Sequence, residues 1–448
     1  APAPIPAHCT NLRRLIAPPR PVDGRSLERH SNRARPARGY NRGPGGTLDA
    51  SRDFSRICLI GFAAHLAYAL SRFPVVPLYA SSLGLSAPMI GLVVAASTIT
   101  GVALKLPAGR ASDLLGRRPV LLLSACAFAF PPFLYPLAVA GLPLLLLRLA
   151  HGTATATFGP VSSAIVSDLA EPARRGERLS TFSSATLVGK SLGPLLGGYL
   201  IAGGAFPRAF LASGAAGLAA LVLAATWRRE TLPPRDPAVA RPARGEFARG
   251  VLEITGNFGI MATSLVEAIQ FVATGALDAF LPIYAATVAG LSPGAIGWLF
   301  AAQIATTLLC KPIMGALSDR IGRRPPIVAG LLVAAAALAA VGSVTSFAAL
   351  AAVAALYGLG VAVTTSSTAA LVTDLARRER YGAAHGVFGT IMDVGHAAGP
   401  IAAGLLAAQT GIGRGFAWIA AVLAAAALVF AALPRFASGG SAARREDR

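Results

Sequence analysis

Glu267, Gln270, Thr274 and Asp278 recur at i, i+3, i+7 and i+11 within a strongly apolar stretch, which is one face of a helix. An ionisable side chain at the centre of a membrane helix costs roughly 2.5–3.5 kcal/mol on the insertion scale, so a retained one is a candidate for function. It should face a bundle interior or a water-filled cavity. A carboxylate held there can take up and release a proton, and a neighbouring arginine can sense the change. Other apolar stretches carry matching groups: His65 with Arg72, Arg148 with His151 and Thr155, and His385 with Asp393 and His396. The lysines of the chain, Lys105, Lys190 and Lys311, also fall in apolar runs. Lys105 and Lys311 lie near the ends of their runs and can snorkel to the interface, which favours structural roles; Lys190 is about mid-run. Depth along the runs puts Arg72, Arg148 and Asp278 together in the outer third, where an ion pair is expected. Glu267, Asp393, Lys190 and His396 form a deeper set. The competing reading of each group is a buried pair that only fixes helix packing, and it weighs most on the single histidines.

The elements that must position these groups are apolar runs of about 20 residues, long enough to cross a bilayer core as helices. They fall at roughly 57–80, 88–108, 119–140, 142–167, 181–203 and 207–227, and again at roughly 259–285, 294–315, 325–344, 347–373, 382–407 and 412–434. Gly and Pro are frequent inside them, as in membrane helices. The short loops on one side hold only Arg208 and Arg414. The opposite loops hold Arg110, Arg117 and Arg118, then Arg174, Arg175 and Arg178, then Arg320, Arg323 and Arg324, then Arg377, Arg378 and Arg380. The excess of arginine on one side predicts that both termini are cytoplasmic, which an even number of spans satisfies.

Composition agrees with lipid as the solvent. The chain is 54% hydrophobic and 13% charged over 448 residues, against about 25% charged in soluble domains. Its net charge of +20 comes from short basic clusters between apolar runs, not from one basic face, which argues against nucleic-acid binding. Cys9, Cys58, Cys126 and Cys310 have no metal-ligand spacing and read as small apolar residues rather than a disulfide framework. No metal site or cofactor is expected. The chain shows no P-loop, zinc motif or nucleophile elbow, so an enzyme is disfavoured and the energy for work should come from an ion gradient.

The chain repeats itself. Gly109–Pro119 reads GRASDLLGRRP and Gly315–Pro325 reads GALSDRIGRRP, an offset of 206 that also maps Lys105 onto Lys311, Asp168 onto Asp374, Gly152 onto Gly358 and Gly193-Pro194 onto Gly399-Pro400. A fixed offset over separate places means two homologous halves. The loop pattern Gly109, Asp113, Gly116, Arg117, Arg118, with its second copy Gly315, Asp319, Gly322, Arg323, Arg324, resembles the signature of the major facilitator superfamily. The resemblance covers nearly all of 56–435 and departs at Ala111, where the family usually has a larger aliphatic residue. It implies an all-α membrane protein of twelve transmembrane helices in two pseudo-symmetric six-helix bundles. The corresponding domains are a disordered Arg/Pro-rich tail at 1–55, an N-terminal bundle at 56–228, a cytoplasmic linker at 229–252, a C-terminal bundle at 253–435 and a cytoplasmic tail at 436–448. In the family the loop Asp holds the bundles together on the cytoplasmic side, which implies contact of Asp113 with the start of the eleventh span and of Asp319 with the fifth.

Two further motifs bear on direction. RLAHGTATA at Arg148–Ala156 resembles the family's fourth-helix motif linked to proton coupling. Gly189, Gly193, Pro194, Gly197 and Gly198 resemble the antiporter motif of the 12-helix drug:proton antiporter, or multidrug efflux, group. The small residues allow close packing, and Pro194 permits a bend. The resemblance implies proton-coupled export of small amphipathic compounds by alternating access, from a monomer in the plasma (inner) membrane whose partners are a small-molecule substrate, H⁺ and lipid. Efflux of a sugar or other metabolite, a proton symporter, and a non-transporting receptor or scaffold on the same fold remain the alternatives.

Overall fold

The computed structural model describes residues 46–171, 174–231, 244–434 and 436. Expectations for the tails up to residue 45 and from residue 437, for Cys9 and for the middle of the linker at 232–243 lie outside the described residues. From Ala50 on, the described residues belong to one compact unit.

All described elements are helical. The first span is α1 (Gly46–Arg72) continued by α2 (Val75–Ser82), interrupted where Pro74 lacks the N–H a continuous helix needs. After it come α3 (Ala87–Leu115), α4 (Arg117–Ala129) with its extension α5 (Pro131–Leu134), α6 (Gly141–Leu169), α7 (Arg175–Leu200) and α8 (Phe206–Thr226). A short linker helix, α9 (Arg244–Thr255), leads to α10 (Phe258–Thr287), α11 (Pro293–Ile321), α12 (Arg324–Val341), α13 (Phe347–Leu375), α14 (Tyr381–Thr410) and α15 (Ile412–Ala432). Ten spans are apolar enough to cross a membrane on hydropathy alone. The other two, α6 and α7, are as long as their neighbours, at 29 and 26 residues, but carry the Arg148, His151 and Lys190 groups and many Ser, Thr and Gly.

The halves repeat in detail. Gly116 and Gly322 turn the α3–α4 and α11–α12 loops at φ 103° and 89°, a region that a side chain avoids. In both loops the next arginine ties the same partners: Arg117 to Asp113 and Asp168, Arg323 to Asp319 and Asp374. The following arginine donates to carbonyls at the end of the half, Arg118 to Trp227 and Arg324 to Phe430. Glycine seams repeat as well. A Cβ at Gly152 would sit 2.6 Å from the Ser97 carbonyl oxygen, and the carbonyl of Gln303 blocks Gly358 in the same way.

Within the N-terminal half α6 packs on α3 and α4, and α4 on α8; within the C-terminal half α13 packs on α11 and α12, α12 on α15, and α10 on α14. The halves meet through α3 with α14 and α7 with α11. One apolar cluster joins both halves at the end opposite the arginine loops, through Val75, Val93 and Ile201 on one side and Ala276, Phe280 and Ile296 on the other. At the arginine-rich end each half keeps its own cluster, around Ile57, Phe128 and Val161 and around Ile260, Val372 and Phe388. The described ends of the linker are held by acidic side chains. Glu230 accepts from the backbone N–H groups of Arg117 and Arg118 at 2.9 and 3.1 Å, which satisfies orphan donors at the start of α4. Glu253 of α9 pairs with Arg377 and Arg380.

Candidate functional site

Between the halves lies a cavity of about 460 Å³ whose wall includes His65, Tyr68 and Arg72 of α1, Ser97 and Lys105 of α3, Thr155 of α6, Lys190 of α7, Ile304 of α11, and Asp393 and His396 of α14. Each group is there because its helix presents one polar face inward, where water can replace the lipid that would otherwise penalise it.

Two polar links cross the cavity between halves. At its floor, towards the neutral-loop end, His396 Nε2 lies 3.2 Å from Asp278 Oδ2 and 3.5 Å from Arg72 Nη2. One nitrogen cannot donate to Asp278 and accept from Arg72 together, and the shorter contact marks the Asp278 bond as the hydrogen bond. Arg72 therefore stands as a cation beside a histidine–carboxylate pair, with its guanidinium 5.6 and 5.0 Å from the Tyr68 and Phe73 ring centres. Its Nε is buried with no acceptor among the described residues. Nearer the arginine-rich end, Lys105 Nζ donates to Asp393 Oδ2 at 2.5 Å.

The other sequence candidates are placed differently. Arg148 joins neither Arg72 nor Asp278. It is fully buried inside the N-terminal half, donating to Ser97 Oγ at 2.6 Å, to the carbonyls of Val93 and Val94, and to Tyr135. These acceptors belong to α3 and the turn after α5, so Arg148 pins α6 to its neighbours and meets the cavity wall at Ser97 and at the Tyr68 ring, 6.0 Å from its guanidinium. The α10 stripe does face the bundle interior. Glu267 accepts from Thr368 Oγ1 at 2.8 Å, Gln270 Nε2 donates to Tyr357 at 3.1 Å, and Thr274 meets the same hydroxyl at 2.9 Å. Glu267 and Gln270 are thus set within the C-terminal half against α13, while Asp278 alone reaches the inter-half link. Lys190 stands on the cavity wall opposite His396, its counterpart in the repeat.

The glycine motif of α7 makes two seams. A Cβ at Gly189 would lie 2.5 Å from the Phe62 carbonyl oxygen of α1, and one at Gly197 2.8 Å from that of Leu70; Gly193 is pressed on Ala69. Gly198 faces the other way, onto Pro293 and Gly297 of α11, while a Cβ at Gly297 would lie 2.8 Å from the Pro194 carbonyl oxygen. In the loop motifs, Asp113 is 62% exposed and pairs with Arg117 at 2.5 Å, and Asp319 is 65% exposed and pairs with Arg323. These pairs hold each loop to its own half. In front of Gly315 there is open space and Gly109 meets only Pro160 at 3.8 Å.

Sequence reasoning missed the Lys105–Asp393 link, because Lys105 read as a snorkelling end residue; the signal available was an acid at the matching depth of the span that packs on it. It also missed Glu230, one of three acids in the arginine-rich linker at 229–252. Among the described residues no group of His, Cys, Asp and Glu is placed to hold a metal ion.

The model of the Major Facilitator Superfamily matches residues 57–292 and again 263–447. An uncharacterized MFS-type transporter of Methanocaldococcus jannaschii is 21% identical, over 76% of this chain and 87% of its own length. Multidrug resistance protein MdtH of Edwardsiella ictaluri is 27% identical, over 68% of this chain and 74% of its own length. Among solved structures, a bacterial homolog of the human lysosomal transporter Spinster, in an inward-facing, occupied conformation, superposes with a TM-score of 0.71 at 17% identity, covering 85% of this chain and 96% of that one. With the paired halves and the repeated loops, these matches place the chain plainly: it is a multi-pass membrane transporter, not an enzyme, and it belongs to the Major Facilitator Superfamily.

Proposed function

We propose that this protein exports small amphipathic compounds in exchange for protons, by alternating access across the cavity between its halves. The observation that carries the reading is the His396–Asp278 pair set beside Arg72, because it couples a titratable site to the contact between halves. With Asp278 ionised and His396 neutral, Arg72 is attracted to the pair. A proton held on it leaves Arg72 beside a neutral or cationic neighbour and weakens the link. Proton uptake at this point thereby favours parting of the neutral-loop end, where substrate would leave. The arginine-rich loops support reading the other end as cytoplasmic, and the halves share no apolar cluster there, which supports reading this state as the one nearer to opening inward.

Asp278 is the principal coupling carboxylate in this scheme, Glu267 a second one inside the C-terminal half, and Lys105–Asp393 an inner link between the halves, formed in the state described, that must part and re-form in each cycle. Relatives named for multidrug resistance support export over uptake. The test is reconstitution into liposomes with an imposed pH gradient: substrate-dependent proton flux with opposed movement of substrate and proton is expected. Co-directional movement would replace antiport by symport, and no substrate-dependent proton flux would favour a non-transporting role.

A further inference from the structure

We infer that the cavity accepts an anionic substrate and that Lys190 is the group that anchors it. This rests on the export reading above and names the substrate class of the same site. The ionisable groups on the cavity wall are Arg72, Lys105 and Lys190 against Asp393, with His65 and His396. The acid is already committed, since Asp393 is held by Lys105 at 2.5 Å. Asp278 is only 6% exposed and is held by His396 at 3.2 Å, so it offers little to a ligand. Lys190 lines the cavity with neither a hydrogen bond nor an ion pair among the described residues.

An ammonium in a membrane helix without a counter-charge is expensive. Here its surroundings are a cavity wall, where water can solvate it until a ligand arrives. A carboxylate, sulfonate or phosphate replaces that water with charge-assisted hydrogen bonds, and does so in a low-dielectric setting. Arg72 adds a second cation on the same wall. Phe73, Leu187 and Ile304 supply apolar surface for the rest of the molecule. A lipophilic cation would meet a wall with an excess of positive charge and an acid that is already paired. The substrate class is therefore an amphipathic organic anion.

The test uses the full chain in liposomes under a pH gradient, with carboxyfluorescein as the anionic probe and ethidium as the cationic probe in separate arms. Carboxyfluorescein should move, and Lys190→Gln should lower its rate at limiting concentration by roughly tenfold, mostly through KM, as for loss of one charge-assisted hydrogen bond. Lys190→Arg should keep most of the rate. Binding of carboxyfluorescein to the wild-type chain, read by fluorescence anisotropy, should resist competition by ethidium; this keeps the inference testable without any variant. Movement of ethidium alone, or carboxyfluorescein transport untouched by Lys190→Gln, overturns the anion assignment and leaves export standing. Absence of gradient-dependent movement of either probe overturns both.

Discussion

The two ends of the molecule join the halves by different physics. At the neutral-loop end the halves share one apolar cluster and touch backbone to backbone: Gly91 against Pro400, Gly404 against Ala87, Gly198 against Pro293. Such a seal is short-ranged and depends on there being no side chain to hold the helices apart. At the arginine-rich end each half has its own cluster, and Gly101, Gly159, Gly386 and Gly389 face open space. The link found between the halves there is an ion pair, Lys105–Asp393, which tolerates separation and water. A transporter that opens alternately at its ends needs each closure to be reversible. Here a geometric seal is opposed by an electrostatic one, and the His396–Asp278–Arg72 group sits where the first meets the cavity.

The strongest way to break that comparison is to remove the titration. Asp278→Asn should abolish gradient-driven accumulation, because the carboxylate whose charge holds Arg72 and His396 together is gone and protonation no longer switches it; exchange of substrate down its own gradient should survive. Counterflow measured beside pH-driven uptake in inverted vesicles separates the two. Glu267→Gln should cost less, since a glutamine carbonyl can still accept from Thr368 Oγ1. Equal losses at both sites would mean that the coupling does not run through the inter-half link.

Next comes the seal itself. A leucine at Gly198 drives into the α11 backbone, and overpacking of this kind costs about 1–3 kcal/mol. That amounts to a shift of roughly fivefold to 150-fold in the balance between end states. Gly198→Leu should therefore populate the state open at the neutral-loop end. Gly389→Leu, at a position now facing open space, should hold the state described here by obstructing closure of the arginine-rich end. Maleimide labelling of a cysteine at Ala87, in a background without the native cysteines, should rise with the first change and not with the second. If both raise labelling, the ends are not opposed.

How much of this was legible before the structure depends on the range of the interaction. The two halves were readable because the loops Gly109–Pro119 and Gly315–Pro325 carry their constraint locally, in a glycine forced to positive φ and an arginine five or fewer residues from its partners Ser112 and Asp113. The inward face of α10 was readable because helical periodicity fixes it. Which charges meet was not. Arg148, Arg72 and Asp278 share a depth, yet depth along a helix leaves rotation and neighbour undetermined; Arg148 turned to the α3 carbonyls and Asp278 to His396. Gly198 likewise read as one more small residue in a motif, because nothing in its spacing says that it faces the opposite half while Gly189, Gly193 and Gly197 face α1.

The smallest effect should come from the basic-end link. Lys105 and Asp393 are 49% and 19% exposed, so solvent screens the pair and its worth lies near the about 0.2–1 kcal/mol of partly exposed ion pairs. Lys105→Ala or Asp393→Ala should then slow transport only a few-fold, by making closure of the arginine-rich end less favourable. The exchanged pair, Lys105→Asp with Asp393→Lys, should recover most of the rate, since the attraction between halves is restored with its sense reversed. It should do so more fully at low ionic strength, where the pair is less screened. A single substitution as damaging as Asp278→Asn would instead assign Asp393 to the proton path, and the electrostatic closure would have to be sought in the loop arginines.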